Sequence, residues 1–413
     1  MKKTLIRNIG TLLTCSSKIL GAPNILDSMG DLSIINNAAM LYDENILWIG
    51  TESSLPVDMV YDELVDAQGQ VMMPGFVDSH THCVFAGNRA DEYARRLRGV
   101  SYQTIAAEGG GILNTVYAVR DASIDQLAHQ GIILALNAMK HGTTTIEMKS
   151  GYGLTLESEL TLLKAIKVVS KEVPLRVIPT FLGAHDIPPE YRHNPELYVD
   201  IICKEMLPAV KEEQLAEFCD VFTDTGYFTI MQSEKILNTA IELGFKIKVH
   251  ADELSPFGAA EMAGSLKAVS ADHLLYISQN GIEAMMRNGC IGTLLPGTAY
   301  TLKLPYAPAR HMIDSGMTIA LASDCNPGSC FTENMQIILS LASTNMGMSI
   351  EESIMASTLH GAYALNIGDK CGSLEIGKSA DFHILNTDKY PELLYHFGIN
   401  HTQNVWIKGK KVV

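Results

Sequence analysis

The chain has 413 residues, 47% hydrophobic and 19% charged, a globular composition that excludes a disordered or fibrous protein. Thirty-one Lys and Arg against forty-six Asp and Glu give a formal charge of -15, which argues against nucleic acid or an anionic membrane as the main partner. The length predicts one large domain with a smaller one beside it.

The opening MKKTLIRNIGTLL is basic, but Arg7 and Asn8 interrupt its apolar run before a secretory core forms. No apolar stretch approaches the length of a membrane span. The eight Cys show no C-x-x-C and no regular spacing, so neither a disulfide framework nor a zinc ribbon is expected. These features predict a soluble cytoplasmic protein. The first seventy or so residues read as short strands broken at Gly, Asn and Asp. The last forty return to that character in GSLEIGKSADFHIL and NVWIKGKKVV, with Lys408-Gly409-Lys410 as a hairpin turn. Residues 1–72 and 370–413 are therefore expected to assemble one small β-sandwich domain.

Between them, over 73–369, short apolar runs alternate with helical stretches, the pattern of βα units and a parallel sheet. Eight strand candidates follow in order: GFVDSH, TTTIEM, RVIPTF, CDVFTD, KIKVHA, AVSADH, CIGTLL and TIALAS. Ser123 is placed to cap a helix carrying Leu127, Ile132 and Leu136, with Gly142 as its stop. Thr155 is placed to cap the next, with Glu157 and Glu159 in the first turn and Pro174 beyond its end. Eight such units predict an α/β fold, a (β/α)8 barrel of the TIM type. A doubly wound sheet is the alternative, but no G-x-G-x-x-G or P-loop follows any strand.

Polar residues gather at the C-terminal strand ends, where such a barrel places its active site. The first candidate ends in His80-Thr81-His82, the third leads into His185, the fifth ends at His250, the sixth at His273 and the eighth at Asp324. His129, His141, His193 and His360 lie in helices or loops and are expected to be solvated or hydrogen-bonded. His80 and His82, two residues apart on an extended chain, project to one face and can share an ion. An H-x-H pair alone also occurs in ordinary turns. With His250 and Asp324 added, three nitrogens and one carboxylate oxygen make a shell that suits Zn²⁺ and also accepts iron.

PGFVDSHTH and SADF resemble signatures of the amidohydrolase superfamily. Within it, HTHCVFAGNR (80–89), EMKSGYGL (147–154), FLGAHDIPPEY (181–191), HADE (250–253), SADHL (270–274) and SDCNPGS (323–329) resemble the imidazolonepropionase family. The resemblance implies hydrolysis of 4-imidazolone-5-propanoate to N-formimidoyl-L-glutamate, in histidine degradation, by a homodimer. It implies a divalent metal, Zn²⁺ or Fe²⁺/Fe³⁺, on His80, His82, His250 and Asp324. Many amidohydrolases bridge two metals with a carboxylated Lys on strand four. CDVFTD has no Lys, and Lys149 after strand two reads as an ion pair, so one metal per chain is expected.

A bound metal supplies hydroxide near neutral pH, and Asp324 can ligate with one oxygen while taking the water's proton with the other. As in the family, His273 is expected to orient the water or stabilise the oxyanion, and Glu253 to deliver a proton to the leaving ring nitrogen. Arg89 can grip the substrate carboxylate bidentately. Tyr102 and Tyr152 can add phenolic hydrogen bonds, and His185 can meet the ring. Asn326, Gly328 and Ser329 can hold product through backbone N–H groups and a hydroxyl. Another amidohydrolase, deaminase-like and with different loops, is the nearer alternative. A non-catalytic scaffold would have lost metal ligands, and all four are present.

Overall fold

The computed structural model describes residues 2–16, 29–100, 104, 105 and 108–413. Five strands come first: β1 (Thr4–Leu13), β2 (Ile34–Tyr42), β3 (Ile46–Thr51), β4 (Glu63–Asp66) and β5 (Val71–Pro74). Eight more alternate with helices: β6 (Phe76–Asp78), β7 (Thr143–Lys149), β8 (Arg176–Ala184), β9 (Phe218–Thr223), β10 (Lys246–Ala251), β11 (Ser270–His273), β12 (Ile291–Leu294) and β13 (Ile319–Leu321). The last three are β14 (Phe382–Leu385), β15 (Thr402–Ile407) and β16 (Lys410–Lys411).

The outer eight strands form one mixed sheet in the order β16-β15-β14-β5-β1-β2-β3, with β4 also paired to β1. Its C-terminal strands thus complete a sheet begun at the N-terminus, pairing β14 antiparallel to β5. Alternate residues of these strands, among them Ile6, Met40, Met72, Phe382 and Trp406, build a separate apolar core. The expected hairpin is there: β15 and β16 pair across Lys408 and Gly409, whose φ values of 49° and 70° favour a glycine at one of the two positions.

All eight predicted barrel strands are strands, and β6 to β13 are parallel neighbours in sequence order. Their burial on both faces explains why they read as continuous apolar runs. The first and last strands meet at the ends that carry the predicted ligands. Thr81 and Cys325 form a parallel bridge, the His82 N–H donates to Cys325 O at 2.9 Å, and the Asp324 N–H donates to His80 O at 3.0 Å.

Both predicted caps are made. Ser123 accepts from the Gln126 N–H in a capping box at the start of helix 124–140, and Thr155 accepts from Ser158 at the start of helix 156–172. Glu159, expected to favour its helix dipole, does something further. It is fully buried and accepts from the N–H groups of Gly151, Gly153 and Leu154, fixing the loop that carries Tyr152.

Inside the barrel the apolar layering usual for this architecture gives way to charge. Glu147, Lys149, Asp220, Lys248 and Asp272 are all inaccessible to solvent.

Candidate active site

His80 and His82 leave the end of β6 on one face, as their spacing predicts, and meet His250 from β10 and Asp324 just beyond β13. The Nε2 atoms of His80 and His82 are 3.3 Å apart, and Asp324 Oδ1 lies 3.7 Å and 3.6 Å from them. A tetrahedral ion with bonds of about 2.0–2.1 Å separates its ligands by roughly 3.3–3.4 Å, so this triangle fits one ion. His250 completes a buried triad in which one ligating atom from each histidine lies within 4.8 Å of the others. Burial, with Lys149 and neighbouring histidines adding to it, holds His80 well below the ordinary histidine pKa, and burial does the same for His82. Both are therefore neutral, the form that ligates. Among the described residues, the buried Nε2 atoms of His250 and His273 lack hydrogen-bond partners, which an ion and water would satisfy.

Carboxylates stand behind two of these rings. Asp272 Oδ2 is 2.6 Å from His80 Nδ1, and Asp220 Oδ2 is 3.0 Å from His250 Nδ1. Such contacts fix the tautomer and leave Nε2 for the metal. Lys149 Nζ lies 2.8 Å from both Glu147 and Asp220. Burial works to discharge this ammonium, but Asp220, Glu147 and Asp272 outweigh it and raise its pKa. Lys149 thus lies in the buried ion pair expected of it.

Two carboxyl groups near the ligands are shifted upward. Burial raises Asp324 to about 6 against the opposing hydrogen bond from the Thr298 hydroxyl. Burial, reinforced by the charges of Asp324 and Asp224, raises Glu253 well above the usual carboxylate range. Glu253 Oε2 lies 3.5 Å from His273 Nε2. The backbone here is strained: Asp252, His273 and Asp324 have φ values of 48°, 78° and 52°. Asp252 offsets its strain by accepting four N–H groups from Phe257 to Ala260, which anchors the loop holding Glu253.

These groups open into a cavity of about 760 Å³ that also contains Arg89, Tyr152, His185, Asn326, Gly328 and Ser329. His185 lies flat on His82, with ring centroids 5.0 Å apart, and its Nδ1 is 3.0 Å from Gly151 O. Burial lowers its pKa to about 3, so the ring is neutral. Arg89 donates from Nε to Glu92 at 2.9 Å. Its guanidinium packs directly over Gly328, where an added Cβ would collide with it. The N–H groups of Gly328 and Ser329 donate to Asn326 Oδ1 at 2.8 Å each, so they close their own loop rather than point outward. Tyr102 lies outside the described residues. Another cavity, of about 800 Å³, lies among residues of the mixed sheet and holds none of the predicted site residues.

The other histidines stay apart from this cluster. His129 and His193 are exposed, His141 Nδ1 meets Asn137 O at 2.9 Å, and buried His360 meets Ile319 O at 3.1 Å. Sequence reasoning missed Arg96, which donates to Gly328 O at 2.8 Å, and the stacked Phe222–Tyr227 pair. It also missed Asp220, Lys248 and Asp272. Their signal was a charge inside a strand buried on both faces, which needs a partner there.

Residues 71–412 match the family model described as the amidohydrolase family. An imidazolonepropionase from Bacteroides fragilis is 47% identical over 388 residues, 92% of each chain. One from Porphyromonas gingivalis is 44% identical over 411 residues, 99% of this chain and 96% of its own. Among solved structures, a zinc complex of atrazine chlorohydrolase from Arthrobacter aurescens TC1 superposes with a TM-score of 0.75 at 17% identity, covering 99% and 95% of the two chains. A zinc-bound adenosine deaminase from Xanthomonas campestris gives a TM-score of 0.72 at 17% identity, covering 99% and 92%.

Proposed function

The chain belongs to the amidohydrolase family and, within it, to the imidazolonepropionases, and on that premise we propose that it hydrolyses 4-imidazolone-5-propanoate to N-formimidoyl-L-glutamate in histidine degradation. The observation that carries this reading is the convergence of His80, His82, His250 and Asp324, the last three lining a cavity together with Arg89 and Glu253. These four residues would hold one divalent ion per chain, Zn²⁺ or Fe²⁺, which when bound would lower the pKa of a water molecule toward neutrality.

The remaining steps belong to the protein's own side chains. Asp324, held by the Thr298 hydroxyl, accepts the proton of the attacking water. The water oxygen adds to the ring carbonyl carbon, and His273 steadies the oxyanion that results. Glu253, kept protonated by its raised pKa, gives its proton to the ring nitrogen as the C–N bond breaks. That nitrogen leaves within the formimidoyl group. Arg89 binds the propanoate carboxylate, Tyr152 and His185 border the ring, and Asn326 shapes the loop of Gly328 and Ser329 that borders the product.

We read the protein as a cytoplasmic homodimer acting on a small molecule, with no nucleic-acid or membrane partner. The eight free cysteines support the compartment and the charge of -15 argues against a nucleic-acid partner, while the homodimer rests on the family resemblance alone. Among the described residues no helix is long and apolar enough to cross a membrane. The test is turnover of enzymatically generated imidazolonepropanoate, read as loss of its ultraviolet absorbance, beside a panel of purines and pyrimidines. Deamination of a nucleobase without turnover of the imidazolone would overturn the proposal.

A further inference from the structure

Lys248 lies two residues before His250 on β10, so both side chains enter the barrel. Its ammonium is fully buried and donates to the carbonyl oxygen of Ser79 at 2.8 Å. It also lies 3.4 Å from Asp272 Oδ2 and 3.6 Å from Glu147 Oε1. Ser79 immediately precedes His80, and the same Asp272 oxygen is 2.6 Å from His80 Nδ1. One ammonium therefore reaches His80 by two routes, through the peptide that carries the residue and through the carboxylate that orients its ring. Ser270 holds the other Asp272 oxygen at 2.7 Å, so this carboxylate has little freedom to turn.

We propose that Lys248 is a positioning residue for His80, fixing backbone and ring together so that Nε2 faces the ion. The inference rests on the reading of His80 as a metal ligand. The strand that supplies one ligand, His250, thereby also sets another that is far away in sequence. A lysine suits the task because its compact ammonium can donate to the Ser79 carbonyl while its charge faces the carboxylates of Asp272 and Glu147. A residue present only to balance buried charge would leave the ring's aim unaffected when replaced.

The test uses the full-length holoenzyme and its Co²⁺-substituted form. Lys248→Met fills similar volume without donors. It is expected to weaken divalent-ion binding 10- to 100-fold in competition with a chelator, the usual cost of losing an outer-sphere partner. It should also change the visible spectrum of bound Co²⁺, which reports ligand geometry rather than fold. Asp272→Ala should lose as much. Asp272→Asn, whose Oδ1 can still accept from His80 Nδ1–H, should retain most of the affinity. Lys248→Met with wild-type affinity and an unchanged Co²⁺ spectrum would overturn the proposal. Should Lys248→Met fail to fold, the Asp272 pair decides: Asp272→Ala at wild-type affinity removes the route from Lys248 to the ring. A wild-type protein that binds no divalent ion would overturn the metal reading itself.

Discussion

Replacing Gly328 by Ala tests the carboxylate clamp without touching the clamp residue. The new Cβ would collide with the Arg89 guanidinium, which packs directly over this position. Gly328 is not among the residues with positive φ, so the backbone accepts alanine. The side chain that must give way is the flexible end of Arg89, and the fold should lose little stability. The bidentate grip on the propanoate should go. Hydrogen bonds to charged groups contribute about 1.5–3 kcal/mol, so kcat/KM should fall roughly 10- to 200-fold, mostly through KM. The assay compares Gly328→Ala, Arg89→Ala and the double variant on imidazolonepropanoate and on an imidazolone lacking the carboxylate. Because both changes act on one guanidinium, the double variant should be little worse than Arg89→Ala alone. The substrate without a carboxylate should barely notice either change. If Gly328→Ala costs as much in the Arg89→Ala background as in wild type, it acts on something other than Arg89 and the clamp is refuted.

Elemental analysis should find about one divalent ion per chain, and His80→Ala or His250→Ala should lose both ion and activity; two ions per chain would sink the mononuclear site. Glu253→Gln should keep its metal and lose on the order of 10²–10⁴-fold in kcat. A general acid works in its protonated form, and the Glu253 pKa is raised, so wild-type activity should fall as pH rises through that value; Glu253→Gln should lack this alkaline limb. Glu159→Ala would leave the N–H groups of Gly151, Gly153 and Leu154 without their acceptor in a buried loop; denaturant unfolding should show a loss of at least about 1–3 kcal/mol, the cost of one unsatisfied donor.

The eight barrel strands were legible because a strand buried on both faces is written as an apolar run, and turn residues bounded each one. Their lengths were less so: β8 runs on to Ala184, three residues beyond the predicted RVIPTF, because the Leu182-Gly183-Ala184 continuation is apolar and still extended. The proposed metal ligands stood out only as a set: an H-x-H pair is common in ordinary turns, and His250 and Asp324 at the ends of other barrel strands gave the pair its weight. The residues that aim them did not. Lys248 and Asp272 reveal their role only once β6, β10 and β11 lie side by side, and nothing local marks Lys248 as a neighbour of Ser79. The loop after Asp324 was legible as a turn but not in its bonding: the N–H groups of Gly328 and Ser329 were expected to be available to product, and the Asn326 side chain reaches forward and accepts from both, a short-range competition that residue types alone do not decide.

The way both sheets close sets the order in which the protein can fold as it is made. β5 needs β14, and the barrel end at Thr81 needs Cys325, so neither layer is complete until segments hundreds of residues later have left the ribosome. At about 5–20 residues per second, the edges of β5 and β6 wait unpaired for tens of seconds. Open edges of this kind invite pairing with other chains. The nascent polypeptide is thus most vulnerable to aggregation during most of its own synthesis, and Asp324 reaches His80 and His82 only in the closing stage.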